Sequence, residues 1–515
     1  MKNKKQLSNT AQTGINMVAS FMTYGVSMLV SFFLSPYIVR NIGVDAYGFV
    51  GLSNNFIGYI SLITLALNAL AGRFITVSIY KKNIKSANVY YTSVFYANLF
   101  LSSIMFVIGF IILVFLEKLI NIPDSLYWDV KILFASLMIS SIISTITSVF
   151  SVSVFANNKL YLNSIRGIES SVARALVLVI AYMFLPPKVY YLGVTTTLVT
   201  LYCSFYNLYY SKKLTPYLKI SKSSFSLNAV IELTKSGIWS LVTRLGQILT
   251  DGLDLLITNL FIDATSMGVL SLAKTVPSAI TGIVGTVANV FSPNYTILYA
   301  QGKFEELVKS VKQNMKIMGV ICNIPIVVLL VCGEMFFSLW QPTQDAHELQ
   351  ILSILTCAGL IINGGINCIY NIFTVVNKLR FNSLVLLFSS LLSVLITFIL
   401  LKTTNLGLYA VAGVSTVIMI LKNLFLIVPY AAKCLSLKWY AFYPEVIKQI
   451  IFVVLGYVSG YFVVSFVNIG NNWINLIVCS VVTGLLSLGI GYYVILNKND
   501  RKILVGLIES KMSRG

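Results

Sequence analysis

The heptapeptide Asn158-Lys159-Leu160-Tyr161-Leu162-Asn163-Ser164 returns 219 positions later as Asn377-Lys378-Leu379-Arg380-Phe381-Asn382-Ser383, identical at five of seven positions. Both copies are polar islands in a chain that is 57% hydrophobic, with mean hydropathy +0.85. Recurring polar turns between apolar runs are what a duplicated helical membrane unit leaves in a sequence. The register extends beyond the loop. At a shift of 218, Asn41, Asp45, Ala46, Leu52 and Ser53 answer Asn259, Asp263, Ala264, Leu270 and Ser271. Leu192-Gly193 answers Leu406-Gly407 at a slightly smaller shift. Three matches in corresponding turns favour duplication over accident.

Only 10% of the residues are charged, against about 25% in a soluble domain. Apolar runs of roughly 18–25 residues, the length that crosses a bilayer as helix, recur from Ile15 to Leu496. They mark spans near 15–39, 48–72, 90–116, 132–155, 167–185, 190–211, 236–260, 266–297, 317–338, 350–376, 382–401, 407–430, 449–468 and 473–496. The first is too long for a signal-peptide core and lacks a small-residue cleavage site, so it is read as a span. The expected fold is an all-α integral membrane protein of about fourteen transmembrane helices. Six is an even number, so the two copies share one orientation: two parallel six-helix lobes plus two C-terminal helices. The expected divisions are 1–211 for the N-lobe, 212–235 for a cytoplasmic linker with Pro216, 236–432 for the C-lobe and 433–515 for the appended helices and tail. Past span 8, Phe304, Leu307, Val308, Val311 and Met315 recur at helical spacing among charges, which predicts a helix lying on the cytoplasmic surface.

A net charge of +20 raises the question of a nucleic-acid partner, and the distribution of the charge answers it. With the N-terminus inside, cytoplasmic loops and tails collect about 28 of the 37 Lys and Arg and outer loops about five, which is the positive-inside asymmetry. Lys2, Lys4, Lys5, Lys498, Lys502, Lys511 and Arg514 belong to the cytoplasmic set. The charge reports topology, with both termini cytoplasmic, and no nucleic acid is expected. Trp128, Trp340 and Trp473 fall at outer span ends and Trp239 and Trp439 near inner ends, the depths that amphipathic rings prefer.

No catalytic constellation is present, and the chain is not expected to be an enzyme. Seven cysteines lack CxxC spacing, so neither a disulfide framework nor a metal site is suggested. His347, the single histidine, reads as a solvated loop residue. No phosphate-binding GxxxxGK[ST] loop is found, which disfavours an ATP-driven pump. A passive or ion-coupled carrier remains, with H⁺ or Na⁺ as the coupling ion and no other cofactor, and its site belongs among charges inside the membrane.

Span 7 carries Ser236, Ser240, Arg244, Gln247, Asp251, Asp254 and Thr258 at alternating spacings of three and four, a polar face from end to end. A charge at the bilayer centre costs about 2.5–3.5 kcal/mol on insertion scales, so this face must meet water or partners. Span 8 answers with Ser271, Lys274, Ser278 and Thr281 beside Pro277. Asp251 and Lys274 lie at similar distances from the turn at Asp263, so an ion pair bracing the hairpin competes evenly with a hydrated cavity. Arg174 in span 5 has Glu169 and Ser170 nearby, and an internal pair is as good a reading as a ligand contact. Arg40, opposite Thr258 in the repeat, is placed at the cavity mouth. Lys422 is close enough to the inner face to snorkel, and Arg73 at the end of span 2 reads as topological. In spans 13 and 14, Gly456-x-x-x-Gly460 and Gly484, Gly489 and Gly491 favour close helix packing, with a groove for a lipid tail as the sharper alternative.

The segment SPYIVRNIGVDAYGFVGLSNNF at the end of span 1, the outer turn Ile42–Gly48, the Asn68-Ala69-x-x-x-Arg73 end of span 2 and the twin NKL loops resemble the polysaccharide transporter (O-antigen-type flippase) family. That family sits in the superfamily of multidrug and toxic compound extrusion carriers and lipid II flippases. The resemblance implies two lobes around a cavity that opens alternately to either side. It implies an undecaprenyl-diphosphate-linked oligosaccharide as cargo in the bacterial cytoplasmic membrane, and membrane lipid around a monomer. Glycosyltransferase and polymerase machinery would be the partners. Arg244 and Lys274 would take the role of the cationic cavity residues. Two departures stand out: span 2 offers Asn54 and Asn55 but no deep arginine, and Asp251 and Asp254 add negative charge. The alternative is an H⁺- or Na⁺-coupled exporter of organic cations with Asp251 and Asp254 as its key groups. A non-transporting scaffold for a glycosyltransferase complex would have little use for a charged intramembrane face.

Overall fold

The computed structural model describes residues 9–376, 378–467, 470–497 and 501. Helices follow the apolar runs one for one. Spans 1 to 6 are Asn9–Ile42, Val44–Tyr80, Ile84–Val114, Asp124–Ala156, Tyr161–Phe184 and Tyr190–Leu214. Span 7 is Leu227–Gln247, continued after a π turn by Asp254–Phe261, and span 8 is Ala264–Ala273 followed by Thr275–Ala300. Spans 9 to 12 are Phe304–Trp340, Ala346–Val375, Leu379–Thr403 and Leu408–Cys434; spans 13 and 14 are Tyr443–Val467 and Trp473–Val494. Among the described residues, 11 helices are long and apolar enough to cross a membrane, or 12 when the halves of span 8, bent by 41°, count as one. Spans 6 and 7 fall below that threshold. Tyrosines and threonines dilute span 6, and the polar face dilutes span 7.

Local chemistry starts and stops these helices. Asn83, Ser226, Asp345 and Asn472 accept backbone N–H groups in the first turns of spans 3, 7, 10 and 14, satisfying donors that a helix start leaves open. Gly43 (φ 84°) and Gly407 (φ 51°) precede spans 2 and 12, where the chain turns through a conformation that costs glycine little.

The backbone forms two compact units, Met1–Gly268 and Val269–Gly515. In the first, span 1 packs on span 5, span 4 on span 6, and span 2 on spans 3 and 7. Leu67, Ala71, Ile75, Tyr91, Val94, Phe150 and Leu233 form a shared core. Buried amides cost stability unless paired, and here they are paired. Asn68 and Asn98 exchange side-chain bonds of 2.8 and 3.0 Å, and Asn98 also donates to Ser148 at 3.1 Å. The first NKL loop is held the same way: Asn16 of span 1 donates to the Asn158 carbonyl (2.9 Å) and side-chain oxygen (2.8 Å), and accepts from the Tyr161 N–H (3.0 Å). In the second copy, Asn377 lies outside the described residues, as do the terminal cations Lys2, Lys4, Lys5, Lys498, Lys502, Lys511 and Arg514.

In the second unit, span 9 packs against spans 10, 13 and 14. Its amphipathic start is not a separate surface helix. Phe304–Trp340 is continuous over 37 residues, about 55 Å at 1.5 Å per residue, against a hydrocarbon core of about 30 Å. Of the apolar stripe, Leu307, Val311 and Met315 are buried, Val308 is half-buried and Phe304 at the helix start is exposed, so most of it faces protein rather than a lipid surface. Gln449 of span 13 inserts between Gly319 and Gly365, where a Cβ would approach its side chain to 2.7 and 1.9 Å, and it donates to the Met315 carbonyl (3.1 Å). Gly456 and Gly460 bring span 13 onto Val327, Val331 and Thr483. On another face, Leu455, Leu485, Gly489 and Tyr493 line an apolar groove of about 640 Å³. Packing and groove are therefore both present in spans 13 and 14. Trp340 departs from expectation: it sits at the end of span 9 but is only 2% exposed, stacked on Phe336. Lys422 also departs from it, being buried where span 12 enters its own π turn at Asn423–Ile427.

Candidate functional site

Span 7 is a broken helix. Its regular turns run to Gln247, widen to a π turn over Ile248–Gly252 and resume at Asp254. A widened turn frees carbonyls that must find other donors inside a membrane. Span 2 supplies them. One turn apart, Asn55 Nδ2 (2.9 Å) and the Tyr59 hydroxyl both donate to the Gly252 carbonyl. The two helices run antiparallel in contact along their length. Before the break, Gly237 lies so close to span 2 that a Cβ there would sit 2.0 Å from the Ala66 carbonyl oxygen. At the start of span 2, a Cβ on Gly48 would meet the Gly268 backbone at 2.9 Å, bringing together the two turns that the repeat equates.

The polar face divides at this break. Ser236, Ser240, Arg244 and Gln247 are exposed, whereas Asp254 and Thr258 are buried. Arg244 is equidistant in sequence from Leu227 and Phe261, and its guanidinium donates to Gln247 Oε1 at 3.2 Å. An exposed guanidinium at mid-span is tolerated only where it meets water or an anion. The Asp251 side chain lies outside the described residues. Asp254 is held close enough to Tyr59 for their charges to interact. Beyond it, Asn259 exchanges three hydrogen bonds of 2.8–3.0 Å with Asn121 in the loop after span 3, which fixes the end of the helix.

The remaining predicted residues are distributed. Lys274 occupies the bend of span 8 between Ala273 and Thr275 and is half-buried in the second unit. Arg40 is exposed in the last turn of span 1, where a cation suits the carbonyl end of the helix. Arg174 lines a cavity of about 330 Å³ between spans 5 and 6, together with Glu169, Ser170, Thr195 and Tyr202. Glu169 is taken by Arg166 at 2.5 Å and by the Tyr202 hydroxyl. The expected Glu169–Arg174 proximity therefore becomes a shared cavity rather than a pair. His347 is exposed, 3.4 Å from Glu334.

Sequence reasoning named Asn55 only as a polar residue and missed Tyr59 altogether. A sequence gives no notice of a π turn, so the need for two donors opposite Gly252 was hidden. The i, i+4 polar spacing of Asn55 and Tyr59 on an apolar helix was the available signal.

The fold is shared with solved transporters. The lipid II flippase MurJ, in an inward closed conformation, aligns over 93% of this chain and 98% of its own at TM-score 0.67 and 15% identity. An inward-facing multidrug resistance MATE family transporter aligns over 82% and 98% at TM-score 0.64 and 13% identity. The likeness shows the fold that those transporters have, a multi-pass helical membrane bundle. In sequence the chain is 24% identical over 494 residues to the uncharacterized membrane protein EpsK of Bacillus subtilis (strain 168), covering 95% of this chain and 97% of that protein. The family profile described as polysaccharide biosynthesis protein matches residues 14–295, and the chain belongs to that family.

Proposed function

We propose that the chain is a flippase that moves an undecaprenyl-diphosphate-linked oligosaccharide across the bacterial cytoplasmic membrane for surface polysaccharide assembly. Arg244, an exposed cation at the middle of a spanning helix, is the observation that carries this reading. A diphosphate crossing the membrane needs a counter-charge at that depth. At 4 Å and an effective dielectric constant near 20, one such contact contributes about 4 kcal/mol. Lys274 is the second cation of the site, with Gln247, Arg40 and Arg174 as further polar contacts. Family membership supports the polysaccharide assignment. The MurJ alignment also reaches further along this chain than the MATE alignment, 93% against 82%, which agrees with two spans beyond a twelve-helix carrier.

Transport proceeds by alternating access of two six-helix lobes (spans 1–6 and 7–12) with both termini cytoplasmic, in a chain acting alone beside its glycosyltransferases and polymerase. In this scheme the contact between spans 2 and 7 is the cytoplasmic closure, and the bonds from Asn55 and Tyr59 to Gly252 are its latch. A buried Asp254 beside Tyr59 favours H⁺ or Na⁺ coupling through Asp254 and Asp251. The same carboxylates sustain a second reading, export of organic cations. Arg244→Gln combined with Lys274→Gln is expected to abolish surface-polymer export while the protein remains folded in the membrane. Normal export by this double variant rejects the site.

A further inference from the structure

Arg73 belongs to no part of the site described above, yet it lines a cavity of about 560 Å³ at the cytoplasmic ends of spans 2, 3 and 7. Lys81, Ser78, Ser86, Tyr90 and Ser236 line it too. The turn between spans 2 and 3 builds this floor. Lys82 adopts φ 58°, the Asn83 N–H bonds back to the Ser78 carbonyl at 3.0 Å, and Lys81 is thereby held at the rim. Among the described residues, neither the Arg73 guanidinium nor the Lys81 ammonium has a hydrogen-bonded or ion-paired partner. No carboxylate lines the cavity. Glu232, beside it, accepts the Tyr90 hydroxyl at 2.7 Å.

Span 3 points its N-terminus at the same space. Thirty-one residues long and begun at Ile84, it contributes a partial positive charge of about half an elementary unit at that end. Two cations, a helix N-terminus and several hydroxyl groups together form a receptor for tetrahedral oxyanions. Carboxylates would gain less from so many separated donors. Arg73 lies two turns inside the end of span 2 at Tyr80, so it and Lys81 approach the cavity from different levels.

We infer that this cavity is a binding site for a phosphate-bearing anion on the cytoplasmic side, separate from Arg244 and Lys274. The inference does not rest on the flippase reading.

The test uses the full chain in nanodiscs and two probes: inorganic pyrophosphate added to nanodiscs of neutral lipid, and phosphatidic acid included in the bilayer. Binding is read by native mass spectrometry and by ligand-induced thermal stabilisation. The wild type is expected to bind at least one probe, more weakly as salt rises. Pyrophosphate binding alone identifies a soluble ligand and phosphatidic acid binding alone a lipid headgroup, and either supports the site. Arg73→Gln with Lys81→Gln should weaken binding at least tenfold, whereas Arg73→Lys with Lys81→Arg should keep it within a few-fold. Both pairs are compared in an Arg244→Gln, Lys274→Gln background, so that a diphosphate held at the proposed transport site does not contribute to the reading. Failure of both probes to bind, or equal binding by the charge-removed and charge-exchanged variants, overturns the inference.

Discussion

Gly237→Ala is a one-methyl test of the contact between spans 2 and 7. The added Cβ would sit 2.0 Å from the Ala66 carbonyl oxygen, 2.8 Å from its carbon and 3.1 Å from its Cα. All three are backbone atoms of a helix, so no side chain can rotate away. Relief requires the helices to part by roughly 1 Å or more, which also forfeits much of the local dispersion contact. Overpacking of this kind costs about 1–3 kcal/mol. If the contact belongs to one state of an alternating pair, that cost shifts the equilibrium toward the other state by about 5- to 150-fold. Spin labels at Tyr80 on span 2 and Lys235 on span 7, both exposed, report the separation as a distance distribution. Cys203 and Cys434 would first be replaced by serine, because the other five cysteines are buried. The wild type should show a dominant short distance, and Gly237→Ala should transfer population to a longer one and reduce polymer export. An unchanged distribution together with unchanged export would refute the closure assigned to these helices.

Two further substitutions extend the same physical reading. Tyr59→Phe removes one of two donors to the Gly252 carbonyl and leaves Asn55 in place, a loss of about 0.5–1.5 kcal/mol. It should shift the Tyr80–Lys235 distances in the direction of Gly237→Ala but by less, and a shift in the opposite direction contradicts the latch. Gly365→Ala places a Cβ 1.9 Å from Gln449 Nε2, displacing a buried amide from the Met315 carbonyl at a cost of about 1–3 kcal/mol. Its melting midpoint in detergent should fall, while Gly413→Ala, whose Cβ meets only Leu355 at 3.8 Å, should leave the midpoint where it is. Equal midpoints would show that Gln449 does not brace the second unit.

The helices were legible because a bilayer demands long apolar runs, and the chain supplies them in order, although among the described residues only 11 or 12 are long and apolar enough to cross a membrane. Their ends were less legible. Span 2 continues from the expected limit near 72 to Tyr80, since helix persists past the apolar run wherever side chains find protein cover. The stripe Leu307, Val311, Met315 has one sequence pattern whether it lies on lipid or on protein, and only the fold decides that it is buried. Trp340 and Lys422 failed for a related reason. Depth along the membrane is readable from sequence, but whether a side chain at that depth faces lipid or protein is not. The polar face of span 7 was legible as a 3-4 spacing. Its division at Gly252 was not, because a π turn follows from packing against span 2 rather than from any local residue signal.

Transport of the proposed cargo is the most direct measurement. Proteoliposomes holding the full chain and a fluorescent undecaprenyl-diphosphate oligosaccharide, with a membrane-impermeant quencher outside, report movement between leaflets. Transfer by the wild type should exceed that of protein-free vesicles and fall to their rate in the Arg244→Gln, Lys274→Gln variant. Wild-type vesicles that transfer this lipid no faster than protein-free ones, yet accumulate an organic cation under a proton or sodium gradient, would contradict the flippase assignment and support the exporter reading.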